Sequence, residues 1–313
     1  MMRAIVQDRF GGPEVLRVAD VPVPEPAPTE VLIEVEYAGV NPVDGKVRRG
    51  QSVAPWMGEF PITLGWDVVG IVRSTGLGVT RFSRGDRVYG MPRFPRAARG
   101  YAQFVTAPSR QVCLVPDGLD PSLAATVPLP ATTAWQVVVD TAGVSEGDRV
   151  LVIGASGAVG RFAVQLARHR GAEVLAVASA RRHGELESLG VSRAFDSASD
   201  EWQRQVRDVD LAIDLVGGET GSQTVGSVRR GGLVISLPSN NQGTLFDTAS
   251  RAGVGATSLI VEPDRVALES VSDLIAQGSV QVGAPTVFPM DDVQTAHRLL
   301  DDGAPEGKMV LEV

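Results

Sequence analysis

Three glycines spaced three residues apart, Gly154, Gly157 and Gly160, are the feature of this 313-residue sequence with the clearest chemical meaning. An apolar run, residues 150–153, precedes them, and apolar residues at helical spacing follow as far as Gly171. A strand, a glycine turn and a helix N-terminus bind the pyrophosphate of a dinucleotide, because backbone N–H groups there face the anion. The spacing is one residue longer than the common Gly-x-Gly-x-x-Gly pattern, and no Gly-Lys-Ser/Thr follows, which excludes a Walker-type loop. The alternative is a tight turn that binds nothing.

The tip of the next predicted strand indicates which dinucleotide would bind. That strand ends at Ser179, Arg181, Arg182 and His183, and the nearest acidic residue is Glu185. NAD sites normally carry an acidic residue at this tip to hold the ribose hydroxyls, whereas the planar guanidinium of arginine suits a 2′-phosphate. We therefore predict NADPH rather than NADH. The alternative is that both arginines are solvated surface charges.

Metal chemistry has little support in the sequence. The chain has one cysteine, Cys113, and its three histidines are distant from it and from one another, whereas a catalytic zinc typically takes three such protein ligands. All three tyrosines precede the glycine loop and none has a lysine four residues later, so the Tyr-x-x-x-Lys acid of other reductases is absent. We expect no metal.

Hydride transfer without a metal requires a substrate that can spread the developing charge by itself. Hydride addition to a quinone, or to the β-carbon of an α,β-unsaturated ketone, gives a delocalised anion, so positioning of the reactants can suffice. Asn41, Asp44 and Lys46 are the catalytic candidates, Asn41 as an amide donor and the other two for proton delivery. A surface salt bridge is the alternative for Asp44 and Lys46, and solvent would then supply the proton.

Four aromatic side chains are candidates for a flat apolar substrate pocket: Trp56, Phe60, Phe94 and Trp135. They could equally belong to the core. The segment 91–100 is basic and carries an aromatic residue, so it could steer an anionic substrate, although a solvated loop explains it as well.

Two kinds of element must position these residues. The first ~115 residues alternate apolar and polar types between turn-forming residues, which predicts a β-rich domain. From about Pro121 the pattern alternates strand and helix, which predicts a parallel sheet with crossover helices. We place its strands at residues 149–153, 173–178, 193–195, 209–214, 232–236 and 255–261, and we place in the tail a helix at 266–277, a strand near Val287, a helix at 293–300 and a last strand at 309–313.

The predicted fold class is therefore α/β, with a β-rich domain and a Rossmann-type, doubly wound parallel-sheet domain. We set the first domain at residues 1–118 and 263–313, and the dinucleotide-binding domain at 119–262. The net charge of −8 argues against a nucleic-acid partner. No apolar stretch reaches the ~18–20 residues that cross a bilayer, and the first residues lack a signal-peptide core. We expect a cytoplasmic protein with no membrane partner.

Several motifs in order along the chain resemble the medium-chain dehydrogenase/reductase superfamily. They lie at residues 41–44 (Asn-Pro-Val-Asp), 65–70 (Gly-Trp-Asp-Val-Val-Gly), 85–90 (Gly-Asp-Arg-Val-Tyr-Gly), 100–104, 131–135, 296–300 and 307–311. The sequence is most similar to the zinc-free quinone oxidoreductase, or zeta-crystallin-like, branch, since Trp66 stands where zinc-dependent relatives have a histidine. Lys46 and Ser197 depart from the branch, which often has tyrosine at both positions.

The resemblance implies a GroES-like catalytic domain beside the Rossmann domain. It implies that the glycine loop cradles the pyrophosphate with Val159 behind the nicotinamide, and that Ser179 and Arg182 bind the 2′-phosphate. The full set of implied coenzyme-binding residues is Asn41, Thr133, Gly154, Ala155, Ser156, Gly157, Ala158, Val159, Gly160, Ser179, Arg182, Val216, Gly217, Ser236, Leu237 and Pro238.

The function that we expect is zinc-independent, NADPH-dependent reduction of a small molecule, either a quinone or an α,β-unsaturated ketone. An enoyl-thioester reductase and a zinc-free alcohol dehydrogenase are the enzymatic alternatives, and an NADPH-binding sensor is the non-enzymatic one. Relatives are often dimers joined through the sheet edge of the coenzyme domain. We therefore expect a homodimer in which residues 258–261 pair with a second copy.

Overall fold

The structure is a computed structural model that describes residues 1–238, 242–303 and 307–313. Its strands are β1 (Met2–Val6), β2 (Arg17–Val21), β3 (Glu30–Val40), β4 (Val68–Thr75), β5 (Arg87–Gly90), β6 (Phe104–Pro108), β7 (Val112–Leu114), β8 (Arg149–Ile153), β9 (Glu173–Ala178), β10 (Arg193–Asp196), β11 (Val209–Asp214), β12 (Val228–Ser236), β13 (Gly255–Thr257), β14 (Thr286–Pro289) and β15 (Met309–Glu312). Its helices are α1 (Pro42–Arg48), α2 (Pro121–Ala124), α3 (Pro128–Trp135), α4 (Ala158–His169), α5 (His183–Ser188), α6 (Glu201–Gln205), α7 (Gly218–Thr224), α8 (Gln242–Ala252), α9 (Arg265–Ala276) and α10 (Val293–Asp301). Within the described ranges, no helix has both the length and the apolar character needed to cross a membrane.

The chain divides into two compact units. The first comprises residues 1–132, 261–278 and 282–313, and the second comprises residues 133–260 and 279–281. The division falls inside α3, later than the limit at residue 118 that we set from the sequence. The domain limits drawn from the sequence therefore stay a prediction.

The first unit is built around β3, the longest strand. Its residues alternate between buried and half-buried positions from Glu30 to Glu36, as expected of a strand that faces the core on one side. The sheet order is β14-β15-β3-β4-β5-β7, with β6 also paired to β3. All pairs in this sheet are antiparallel except β14 with β15. Because β15 pairs with β3, the C-terminal strand lies inside the sheet formed by the N-terminal part of the chain.

The second unit contains a parallel sheet of six strands in the order β10-β9-β8-β11-β12-β13. This is the strand order of a complete dinucleotide-binding sheet, with its switch point between β8 and β11. The helix α4 packs on β8 and β9, and α8 packs on β12 and β13. The parallel sheet and the β-rich unit confirm the predicted α/β fold class.

Two strands differ from their predicted limits. The strand β12 begins at Val228 instead of residue 232, with Gly231 in the left-handed region at a φ of 76°. The strand β13 ends at Thr257, whereas we predict a strand as far as residue 261. Within the described ranges, β13 has only β12 as a neighbour, and β12 ends at Ser236, next to the residue that pairs with Thr257. Residues 258–261 therefore pair with no strand in the part of the chain that the structure describes.

Candidate functional site

The glycine loop joins β8 to α4 by a tight turn. Gly154 has a φ of 79°, a conformation that favours glycine, and its N–H donates to the Val177 carbonyl over 3.0 Å. Gly160 is needed for packing, because a Cβ there would lie 2.5 Å from the carbonyl oxygen of Gly154. Two of the three glycines are therefore explained by the fold itself.

Gly157 has no such explanation. Its φ of −71° suits any residue, and an added Cβ would meet only the Gly154 carbonyl oxygen, at 3.3 Å. Gly157 is also the N-cap of α4 and offers no side chain to the unpaired N–H groups of the first helical turn. The glycine thus leaves open space in front of a helix N-terminus, which fits the pyrophosphate of a dinucleotide.

A cavity of about 340 Å³ opens beside this loop, at the carboxyl ends of the parallel strands. It brings together four of the residues implied from the sequence, Gly154, Ser156, Ser179 and Val216. Ligands bind at this edge of open α/β sheets, and at the switch point in particular. The cavity also contains residues that sequence reasoning missed: Ser199, Asp200, Trp202 and Gln203 around α6, and Thr220 and Gln223 on α7. Their only signal in the sequence is that they follow strands β10 and β11.

Asp214 holds the two implied segments that follow β11 and β12. One of its carboxylate oxygens accepts the N–H groups of Val216 and Gly217, over 3.0 and 2.9 Å. The other accepts the hydroxyl of Ser236 over 2.7 Å, and the Asp214 carbonyl accepts the N–H of Leu237 over 3.0 Å. Asp214 was not among our candidates, although an acidic residue at the end of an apolar strand is a visible signal.

The two implied 2′-phosphate residues lie three positions apart after β9, and Arg182 has charged neighbours. The N–H of Arg182 donates to the Ser179 carbonyl over 2.8 Å, and its guanidinium lies 3.4 Å from a carboxylate oxygen of Glu185. The other oxygen of Glu185 pairs with Arg161 on α4. Burial and the nearby charge of Arg182 lower the pKa of Arg161. Arg181 is exposed, whereas Arg182 and Arg161 are half-buried and share Glu185 as a partner.

The remaining implied residues of the second unit lie in the glycine loop and first turn of α4, near the end of α3 and after β12. Ala155 is fully buried, and Ala158 and Val159 are half-buried in the first turn of α4. Thr133 is 5% exposed on α3, and Pro238 is half-buried after β12.

In the first unit, Asn41 lies in a network of buried polar groups. Its side-chain amide donates to a carboxylate oxygen of Asp67 over 2.8 Å, and its carbonyl oxygen accepts from Lys308. The Lys308 ammonium also lies 3.2 Å from that oxygen of Asp67, and the N–H of Leu129 donates to the second oxygen over 2.7 Å. Burial raises the pKa of Asp67 and lowers that of Lys308. The orientation of the Asn41 amide is thus determined from both ends.

Asp44 is buried in the same unit and binds backbone. One carboxylate oxygen accepts the N–H of Asn41 over 2.8 Å, and the other accepts the N–H of Gly65 over 3.0 Å. Burial raises the pKa of Asp44 to about 7, although the two backbone hydrogen bonds oppose that shift. These contacts make Asp44 part of a capping box at the start of α1 and favour a positioning role over proton delivery. Lys46, on the same helix, is half-buried.

The four aromatic candidates differ in their surroundings. Phe94 is 8% exposed and packs edge-on against Trp66 at 5.2 Å between ring centroids, which favours the core alternative for it. In contrast, Trp56 and Phe60 are 51% and 41% exposed. Trp135, in the second unit, is half-buried.

The possible metal ligands do not assemble. In the three described ranges, no group of three or more His, Cys, Asp or Glu side chains is placed to hold a metal ion. Cys113 is buried on β7, and burial raises the pKa of its thiol to about 12. This thiol is therefore protonated near neutral pH and is a poor ligand and nucleophile.

Comparison with known proteins agrees with the fold. Residues 27–135 match the family model of the alcohol dehydrogenase GroES-like domain, and residues 189–311 match that of zinc-binding dehydrogenases. The quinone oxidoreductase of Rattus norvegicus is 32% identical, and the match covers 99% of this chain and 98% of the relative.

Two solved structures extend the similarity to three dimensions. The quinone oxidoreductase from Coxiella burnetii is 32% identical with a TM-score of 0.92, covering 100% of this chain and 99% of the other. A mycobacterial protein solved in complex with NADPH is 29% identical with a TM-score of 0.87, covering 100% of both chains. The chain therefore belongs to the medium-chain dehydrogenase/reductase superfamily of oxidoreductases, and within it to the quinone oxidoreductase branch.

Proposed function

We propose that this protein transfers hydride from NADPH to a quinone or an α,β-unsaturated ketone without a metal ion. The observation that carries the proposal is the cavity that joins Gly154 and Ser156 of the glycine loop to Ser179 at the tip of β9. A pyrophosphate at the loop and the adenosine ribose at Ser179 are neighbouring parts of such a coenzyme. The quinone oxidoreductases among the similar proteins support the choice of acceptor.

The choice of NADPH over NADH rests on charge. The backbone N–H of Arg182 donates to the Ser179 carbonyl, and Arg161 contacts the other oxygen of Glu185. Ser179, just after β9, stands in place of an acidic residue. The similar mycobacterial protein that binds NADPH supports the same choice. Arg182→Ala should weaken NADPH binding about tenfold or more and leave NADH binding nearly unchanged, because a charge-assisted hydrogen bond contributes about 1.5–3 kcal/mol. Arg181→Ala, at the exposed neighbour, is the matched control. An equal loss for both coenzymes would contradict the assignment.

The bound coenzyme supplies the hydride, and the chain's own residues position the reactants. Asn41 is held by Lys308 and Asp67, which makes its amide a preorganised donor for the oxygen that gains charge in the reaction. Asp44 positions Asn41, and a proton comes from solvent or from the half-buried Lys46. Lys46→Met should leave the single-turnover rate unchanged if solvent is the source.

The test of the reaction is stopped-flow oxidation of pre-bound NADPH by phenanthrenequinone, benzoquinone and a simple enone. NADH and an added chelator are the controls. We expect rapid loss of the reduced nicotinamide absorbance with NADPH, in the presence or absence of chelator. Tight NADPH binding without oxidation by any of these acceptors would contradict the proposal. It would favour an NADPH-binding sensor or an enzyme with a narrower range of substrates.

We also propose a homodimer formed through the edge of the parallel sheet. The strand β13 has β12 as its one partner in the sheet of the described chain, and Ile260 just beyond it is 56% exposed. Pairing of two copies along this edge would cover both features. Ile260→Asp should shift a dimer to a monomer in analytical ultracentrifugation, whereas a monomeric wild-type protein would refute the proposal.

A further inference from the structure

Gln203 on α6 lines the coenzyme cavity and carries a buried polar atom without a partner among the described residues. The side chain lines the same cavity as Gly154 and Ser179. Its Oε1 atom is buried and has no hydrogen-bond partner among the described residues. A buried acceptor without a donor costs about 1–3 kcal/mol, so native structures rarely leave one unless a ligand or water completes it.

A chain of hydrogen bonds determines which end of the Gln203 amide is left without a partner. Glu219 on α7 carries a carboxylate, which only accepts, and the amide nitrogen of Gln223 lies 3.4 Å from it. The carbonyl oxygen of Gln223 then accepts from the amide nitrogen of Gln203 over 2.8 Å. The nitrogen of Gln203 is thereby used, and its oxygen is the atom left without a partner. Gln203 therefore brings to the cavity wall an unused hydrogen-bond acceptor that is itself buried.

We propose that Gln203 reads the base of the coenzyme by accepting a hydrogen bond from the exocyclic amine of adenine. The loop at Gly154 and Ser156 suits the pyrophosphate and Ser179 suits the ribose, so the helices α6 and α7 are left for the base. Trp202 and Val216, which also line the cavity, supply apolar surface for the faces of a ring. The amine is the strongest donor on the edge of adenine, and hypoxanthine has a carbonyl oxygen in its place. This inference rests on the proposed dinucleotide coenzyme and adds a residue that selects its base.

The test compares binding of NADPH with binding of its hypoxanthine analogue, reduced deamino-NADPH, followed by quenching of tryptophan fluorescence. The wild-type protein should bind NADPH about tenfold or more tightly than the analogue. In the analogue, the carbonyl oxygen of hypoxanthine would face Oε1 of Gln203, and both atoms are acceptors. Gln203→Leu should reduce that ratio to near one, since leucine distinguishes neither base. Gln205→Leu is the matched control, because Gln205 lies on the same helix, is exposed and contacts Arg193 and Glu201. It should keep the wild-type ratio.

The outcomes separate this inference from the proposed function. A ratio near one in the wild-type protein, or an unchanged ratio in Gln203→Leu, would overturn the role of Gln203 while leaving the coenzyme assignment intact. Tighter binding of NADH than of NADPH would instead refute the proposed coenzyme. In that case, the same comparison with NADH and deamino-NADH still tests Gln203. Because the readout is a ratio of affinities, a variant that is partly unfolded gives the same answer.

Discussion

Asp67 and Lys308 form a buried charged pair, and each depends on the other. The side chain of Asp67 is fully buried and that of Lys308 is 8% exposed. Removing one partner of such a pair leaves a charge without compensation, at a cost of about 3–5 kcal/mol. Lys308→Met should therefore lower the free energy of unfolding by about that amount. Urea unfolding followed by circular dichroism measures the change.

The double variant Asp67→Asn with Lys308→Met is the control for this prediction. The double variant should regain most of the free energy of unfolding that Lys308→Met loses. Without Lys308, the Asn41 side-chain amide is free to rotate, and its oxygen can accept a hydrogen bond from the new amide at position 67. The two neutral side-chain amides can then form a hydrogen bond with each other in the same space. A double variant as unstable as Lys308→Met alone would show that the ammonium contributes packing and not charge compensation.

Asp44 should make the stability of the protein depend on pH. Burial raises its pKa from 3.8 to about 7, so between these values the unfolded chain releases this proton and the folded chain keeps it. The stabilising contribution is complete below the unfolded pKa and is lost as the pH rises through about 7. Asp44→Asn should reduce the decline in unfolding free energy between about pH 5 and pH 8 by roughly 3 kcal/mol.

The measurement for Asp44 is urea unfolding of both proteins at several pH values. The asparagine variant loses one acceptor for a backbone N–H, which lowers its stability about equally at every pH. The difference in slope therefore reports the titration of Asp44 together with its electrostatic coupling to Asp67 and Lys308, which are present in both proteins. Parallel curves would mean that Asp44 is ionised throughout this range in the folded state.

At the scale of elements, the loop between β8 and α4 contains two glycines for which we expect different roles: Gly160 in packing and Gly157 in coenzyme binding. Gly160→Ala places a Cβ 2.5 Å from the Gly154 carbonyl oxygen and 2.7 Å from the Cα of Ala155. Because both neighbours are backbone atoms, we expect a loss of about 1–3 kcal/mol of stability. Gly157→Ala meets only one atom, at 3.3 Å, and should change stability by less than about 1 kcal/mol.

Coenzyme binding should show the opposite pattern for Gly157. A methyl group there fills the space in front of the helix N-terminus, so NADPH affinity should fall about tenfold or more in Gly157→Ala. Thermal unfolding without coenzyme, together with a fluorescence titration of NADPH, distinguishes the two effects. If Gly157→Ala binds NADPH as well as the wild-type protein does, the pyrophosphate does not lie at this glycine.

The elements also show how far the sequence predicts the structure. The strands β8, β9 and β11 and the turn at Gly154 were predicted correctly, because apolar runs and turn residues act over a few neighbouring positions. The Lys308 and Asp67 pair was not predicted, because its members are 241 residues apart and each occurs in an unremarkable local pattern. Gln203 was missed for the same reason, since only tertiary packing brings α6 beside α7.

At the scale of the whole molecule, the last strand determines whether the first unit can form. The strand β15 lies between β14 and β3, and Met309, Val310 and Leu311 are each 2% exposed or less. Burial of each such side chain contributes about 1.5–3 kcal/mol, so ending the chain at Lys308 removes several kcal/mol and exposes two strand edges. Among residues 1–238, 242–303 and 307–313, the parallel sheet of the second unit contains none beyond Thr257.

We therefore expect the two units to respond differently to this truncation. Trypsin should digest the first unit of the shortened chain rapidly, while residues 133–260 remain as a protected fragment that mass spectrometry can identify. The shortened chain should still bind adenosine 2′,5′-bisphosphate, because every residue that lines the coenzyme cavity lies in the second unit. A chain lacking only Val313 is the control and should resist trypsin as the full chain does. Rapid digestion of both units would show that the parallel sheet needs the first unit in order to fold. In that case, the C-terminal strand would be essential for the whole protein, because it belongs to the sheet of the first unit.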